Sequence, residues 1–377
     1  MATQKGAELE EIVRAYFARQ GFFALRSTQY TYDGETVTDI DVWLYSRANA
    51  SLRSRGIVDV KNKRTPKALE RVLWVAGLKS ALGCDRAIVA TTDANPRIAK
   101  FAHSQNVAII TKSLLDRLEK ALQTENRLSL EELLQQIREY KDHKHDGDWI
   151  KWLDESKSAL VSVQGFPAFN IAMAAFEFFA QRVQTRTQHQ TLALRCAYAV
   201  ASFACIALDG AMERVVFDDS ASRSAAISRG VAYGDNGDGR KIADINAVVD
   251  VVSESIDNGR AIASSIREAL HRRFDAIRSD IIAEYFSREH HSAQLFHVAR
   301  ELDERAYARD MDLGMSREAK SILGVFCDFV RIRRSYLIPS SSSLPIERDS
   351  KNSDDGQGPM LEAPDGSHNG NSEEKLL

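Results

Sequence analysis

The chain has 377 residues, of which 44% are hydrophobic and 27% charged, with a formal net charge of −3. That composition describes a soluble globular protein long enough for two domains, and it excludes a fibrous or wholly disordered chain. Its four cysteines (Cys84, Cys196, Cys205, Cys327) stand far apart, with no Cys-x-x-Cys pair and no histidine at zinc spacing. Neither a disulfide framework nor a zinc site is indicated, and reduced thiols in cytoplasm are expected. The start, MATQKGAELEE, carries no apolar secretory stretch, and the longest apolar run, CAYAVASFACIAL at 196–208, has 13 residues. That is too short to span a bilayer, so the run reads as the central helix of a core and no membrane partner is expected. Charge is uneven: residues 1–122 hold 19 Lys and Arg against 13 Asp and Glu, and residues 346–377 hold 3 against 8. A basic first segment on an acidic chain suits a polyanionic substrate handled by the N-terminal part.

In chain order, KGAELEEIVRAYFARQG places Leu9, Ile12, Val13, Tyr16 and Phe17 on one helical stripe, which stops at Gly21. Three strand patterns follow: FFALRSTQY, TVTDIDVWLY and RGIVDVKN. Thr65 and Pro66 then begin a helix, PKALERVLWVAGLKSAL, which Gly83 ends. DRAIVATT reads as a buried strand, NPRIAKFAHSQ as a helix, VAIIT as a last strand and SLLDRLEKAL as a closing helix. The order α-β-β-β-α-β-α-β-α predicts an α/β domain, a sheet flanked by helices. Residues 123–149 turn polar and predict a helical linker and hinge. Residues 150–338 carry only helical periodicity, an all-α domain of five or six helices, with FDDSASRSAAISRGVAYGDNGDGRK as an irregular connection. From 339 to 377 the chain is acidic and rich in Ser, Gly and Asn, a composition that predicts a disordered tail.

The stretch GIVDVKNKRTP (56–66) puts charge into a buried strand pattern. Alternation sends Ile57, Asp59 and Lys61 to one face and Val58 and Val60 to the other. Taken alone, Asp-x-Lys is a local ion pair at a strand end. The preceding strand, however, also predicts Asp39, Asp41, Trp43 and Tyr45 on one face, with Ile40, Val42 and Leu44 on the other. On the first helix, Gly6, Glu10, Val13 and Phe17 fall in one row, so Glu10 borders the face that packs on the sheet. Acidic groups are rarely placed this way without a partner.

A Gly-x-x-x-Glu helix ending in Gly-Phe, an Asp on the second strand, Asp-x-Lys on the third, a helix, and then AIVATT and AKFAHSQNVAIIT resemble the restriction-endonuclease-like nucleases of the PD-(D/E)XK superfamily. Within it the chain most resembles the Mrr-like restriction enzymes, over roughly residues 5 to 115. The resemblance implies a mixed central sheet flanked by helices and a magnesium- or manganese-dependent endonuclease acting on DNA. It carries metal binding onto Asp41 and Asp59, the catalytic lysine onto Lys61 and a supporting acid onto Glu10. Ile40 stands where the name-giving proline would be. Asp39 faces the same way as Asp41, and the resemblance selects Asp41. The glutamine often found on the lysine strand or the helix after it has no clear counterpart here.

The chemistry asks for these residue types independently. Magnesium takes hard oxygen ligands and keeps several waters, which two carboxylates at the mouth of a cleft permit. A lysine beside them can orient water or offset charge on a phosphate. Lys63, Arg64, Lys67 and Arg71, just past the strand, would hold the nucleic-acid backbone without reading sequence; otherwise they are a solvated helix start. Restriction or antiviral defence is the setting the resemblance suggests, with DNA repair or junction processing next. A protein of another class, binding nucleic acid or assembling through its helical part without catalysis, is the remaining alternative. A second copy or a protein partner is expected to engage that helical part. The DNGDG run at 235–239 lacks the ligand pattern of a calcium loop. His290, His291 and His297, near Glu284, Glu289 and Glu301, read as ordinary helix residues. The Phe-rich FNIAMAAFEFFAQ reads as core.

Overall fold

The structure, a computed structural model, describes residues 4–61, 67–93, 95–122, 126–234, 240–256, 258–311 and 314–338. Lys63, Arg64, the DNGDG run and the expected acidic tail lie outside the described residues. Helix α1 (Gln4–Arg19) precedes strands β1 (Phe23–Tyr32), β2 (Glu35–Arg47) and β3 (Arg53–Lys61); α2 (Ala68–Ala81), β4 (Arg86–Thr91), α3 (Pro96–Ser104), β5 (Ala108–Ile110) and α4 (Lys112–Leu122) follow. The five strands form one sheet in chain order, antiparallel from β1 to β3 and parallel from β3 to β5. Parallel neighbours need crossover connections, and α2 and α3 supply them. Asn95 caps α3 by accepting from the Arg97 amide, with Pro96 in its first turn. This is the mixed α/β architecture expected.

Strand alternation divides the sheet between two apolar clusters. Val42, Leu44, Val58, Val60, Ile88 and Ala90 meet Leu9, Val13 and Phe17 of α1 and Leu115 of α4. On the opposite face Trp43, Tyr45, Ile57 and Val89 join Val72 and Val75 of α2 in a cluster that runs on into the helical region.

That region comprises α5 (Leu130–Glu139), α6 (Trp149–Ser162), α7 (Gly165–Thr185), α8 (Gln190–Met212), α9 (Ser220–Tyr233), α10 (Arg240–Ser255), α11 (Gly259–Asp275), α12 (Ser279–Phe286), α13 (Glu289–Ala293), α14 (Leu295–Tyr307) and α15 (Arg317–Phe329). Among the described residues, ten α-helices thus begin after residue 148, not five or six. The count rises because periodicity does not register short breaks such as those at Ser287 and Gln294, which divide α12, α13 and α14. Part of the expected connection at 217–241 is the helix α9. Asp219 accepts from the amides of Ala221 and Ser222 to start it, Ile227 and Val231 are buried, and Gly234 ends it at φ 63°.

Helix α8 carries the long apolar run, and the stretch Thr187–Val215 around it is long and apolar enough to cross a bilayer, contrary to the expectation from 13 residues. Of its apolar window, however, 89% is buried inside the protein, which makes it the core helix expected. The Phe-rich segment is core too: Phe169, Phe176, Phe178 and Phe179 of α7 are buried. Helix α6 lies against β1, where Ser158 Oγ donates to the Gln29 carbonyl at 2.8 Å and the Thr31 amide donates to Ser162 Oγ at 2.9 Å.

Gly230 marks a close helix crossing, because a Cβ at this position would overlap the buried ring of Phe166 on α7. Gly230→Ala is therefore expected to destabilise the protein by about 1–3 kcal/mol, as overpacking does. The check is a drop in denaturation midpoint, with Ser220→Ala on the exposed start of α9 unchanged within about 0.5 kcal/mol.

Candidate active site

The site forms where two strands part. The pairing of β2 with β3 runs from Arg47 opposite Arg53 to Val42 opposite Val58 and ends there, while β3 continues along β4 to Lys61 opposite Thr91. Past that point the Val60 amide has no β2 carbonyl to meet. It donates instead to Asp41 Oδ2 at 2.6 Å.

On the other side of β2, Arg26 pairs with Val42 and Thr28 with Ile40, and Ser27 between them has φ 48°, a left-handed backbone unusual for a residue with a side chain. The register is the same on both sides, and only the pairing of Ser27 with Asp41 is missing. Ile40 packs in the cluster of Trp43, Tyr45 and Ile57 rather than with Val42 and Leu44, which corrects the strict alternation expected from sequence.

The structure brings the expected residues together. Lys61 Nζ lies 3.1 Å from Asp41 Oδ2 and 3.3 Å from Asp59 Oδ1, so one ammonium bridges carboxylates from two strands. Asp59 is buried, with its side chain 4% exposed. Glu10, also buried, lies on α1 near enough for Asp41 and Lys61 to act on it through charge, and Arg26 Nη2 donates to its Oε2 at 3.2 Å. Burial raises the Glu10 carboxyl above its ordinary range, and the negative charge of Asp41 adds to this against the opposing pull of Arg26 and Lys61. Burial also raises Asp41, while Lys61 and the Val60 amide act in the opposite direction. Asp39, by contrast, is exposed and makes no ion pair among the described residues.

Two arginines were not anticipated in these positions. Arg26, buried on β1, donates to Glu10, to Glu11 at 3.0 Å and to Glu131 at 2.9 Å, fastening α1 and α5 to the sheet behind the site. A lone arginine in the apolar pattern FFALRSTQY was its only sequence signal. Arg71, expected on the DNA backbone, turns inward: its Nε donates to Asp59 Oδ2 at 3.0 Å and its Nη2 pairs with Asp59 Oδ1. Its guanidinium also stacks 4.1 Å over the Trp74 ring. The helix after the lysine strand thus presents an arginine to the site. Lys67, at the start of the same helix, is exposed and pairs with Glu70 at 3.1 Å. Away from the site, His291 Nδ1 lies 2.9 Å from the Tyr285 carbonyl and its ring stacks on Tyr285.

Among the described residues no group of three His, Cys, Asp or Glu side chains is placed to hold a metal ion by itself. Asp41 and Asp59 nevertheless converge on one cation, the Lys61 ammonium. Their hard oxygen donors suit a magnesium ion that keeps most of its waters.

A mixed sheet with an Asp, an Asp-x-Lys and a helical Glu gathered where its strands diverge defines a catalytic domain of nuclease type. Residues 1–118, the N-terminal third of the chain, match the family model of the Mrr catalytic domain, described as restriction endonuclease, the branch that the sequence resembles. No curated protein and no solved structure matches the chain.

Proposed function

We propose that the protein is a metal-dependent endonuclease that hydrolyses DNA phosphodiester bonds in restriction or antiviral defence. Residues 1–122 would carry the chemistry, 123–149 the connection, and 150–338 the recognition of a partner or a second copy. The observation that carries this reading is the Lys61 ammonium between Asp41 and Asp59 at the point where β2 leaves β3.

In this reading Asp41 and Asp59 hold Mg2+ or Mn2+, which when bound makes water easier to deprotonate and offsets phosphate charge. Lys61 donates hydrogen bonds to the attacking water or to a phosphate oxygen as negative charge builds there. The Val60 amide fixes the orientation of Asp41, and Arg26 fixes Glu10 beside it. Lys67, with Lys63 and Arg64, contributes phosphate contacts that are indifferent to sequence.

The test is incubation of the wild type and Lys61→Ala with linear, circular, branched and methylated DNA, in magnesium, manganese or chelator. Cutting by the wild type alone, stopped by chelator, supports the proposal and identifies the preferred DNA feature. A folded wild type that cuts none of these DNAs in either metal would refute it.

A further inference from the structure

Asp59 is covered by two cations of different kinds. Lys61 offers a single nitrogen and divides it between Asp41 and Asp59. Arg71 commits two nitrogens of its planar fork to the two oxygens of Asp59 alone. Because the Asp59 side chain is only 4% exposed, an incoming ion cannot use its oxygens until a cation moves aside. Arg71 is the one placed to move. Its side chain is no more buried than that of Lys61, it comes from α2 rather than from the strand that bears Asp59, and its guanidinium rests against Trp74, which is 38% exposed.

We infer that Arg71 competes with metal for Asp59 and is drawn off by a phosphate of bound DNA, so that the metal site is completed only when DNA is engaged. The inference rests on the nuclease reading above and concerns the control of the same site. A guanidinium fork fits phosphate oxygens as well as carboxylate oxygens, so the exchange keeps its two charge-assisted hydrogen bonds and costs little. Stacking on Trp74 can hold the group while its partners change. The apparent metal affinity of the free protein is lowered by the fraction of molecules in which Arg71 is off Asp59. Arg71 is thus a positioning residue: it keeps the cluster charge-compensated without an ion and releases Asp59 to it when substrate arrives.

The experiment is calorimetric titration of Mn2+ into chelator-treated full-length protein, using wild type, Arg71→Ala and Arg71→Lys, with Asp59→Asn as the blank for binding elsewhere. Without DNA, Arg71→Ala is expected to bind Mn2+ about tenfold more tightly than wild type, which corresponds to Arg71 being off Asp59 in roughly one wild-type molecule in ten. Arg71→Lys, which lacks the fork, should fall between them. A short phosphorothioate duplex should tighten Mn2+ binding by the wild type and close the gap to Arg71→Ala. Equal affinities for wild type and Arg71→Ala without DNA would overturn the competition while leaving the nuclease reading intact. A gap that persists when the duplex is bound would overturn the release by phosphate. No Asp59-dependent Mn2+ binding in any variant would overturn this inference and the metal-dependent reading together.

Discussion

Lys61→Ala should reduce DNA cleavage by at least about 10²–10³-fold, the usual cost of removing one donor aimed at developing charge. The loss should appear in the rate of the cutting step at saturating DNA, because Lys61 is one cation among several that a phosphate backbone would meet. Folding should survive the change. The lysine side chain is 24% exposed, and after its removal Arg71 still compensates Asp59, while the Val60 amide still binds Asp41. Asp59→Asn makes the informative comparison. It too should abolish cutting, but it should also remove the metal dependence of ligand binding, which Lys61→Ala should retain. Single-turnover cleavage and Mn2+ titration on the two variants distinguish these outcomes. A Lys61→Ala protein that cuts within a few fold of the wild type would remove the lysine from the mechanism.

The sequence could reveal this site as far as strand periodicity extends. Asp59 and Lys61 were legible because two carbons of β3 separated by one residue share a face, whatever the rest of the fold does. Glu10 was legible because spacings of four and three place it in line with Val13 and Phe17. Alternation failed at Ile40, since it assumes an unbroken ladder, and between Arg26–Val42 and Thr28–Ile40 the pairing of Ser27 with Asp41 is missing. Arg71 posed a different problem. Its sequence context, a basic stretch at a helix start, is the same whether it meets solvent, phosphate or a carboxylate, and only the return of α2 across β3 puts it on Asp59. Arg26 likewise joins residues 15 and 105 positions away, a distance over which no local pattern carries information. In the helical region, periodicity identified the class but merged short helices, because a one-residue cap scarcely disturbs an apolar count.

The largest effect on stability is expected far from the chemistry, at Asp209. This carboxylate of α8 is fully buried; it accepts from Tyr45 Oη at 2.6 Å and from Arg47 at 2.8 Å, with Arg53 at 3.4 Å. Tyr45, Arg47 and Arg53 belong to β2 and β3, so one side chain of the helical region fastens the strands that hold Asp41 and Asp59. Burial and the neighbouring Asp209 charge raise the Tyr45 phenol well above its ordinary value, which keeps it protonated as a donor. Asp209→Ala would leave two little-exposed guanidiniums uncompensated, and breaking such a buried group on one side costs about 3–5 kcal/mol. The melting midpoint should fall by about 4–7 °C. Tyr45→Phe removes one neutral donor to the charged carboxylate and should cost less, about 1.5–3 kcal/mol. The contrast is diagnostic, because the apolar volume lost at Asp209 is small and cannot by itself produce the larger effect. Thermal and denaturant unfolding of the two variants measure it. If Asp209→Ala melts within about 1 kcal/mol of the wild type, the network adds little, and the apolar faces of β2 and α8 must hold the sheet to the helices by packing alone.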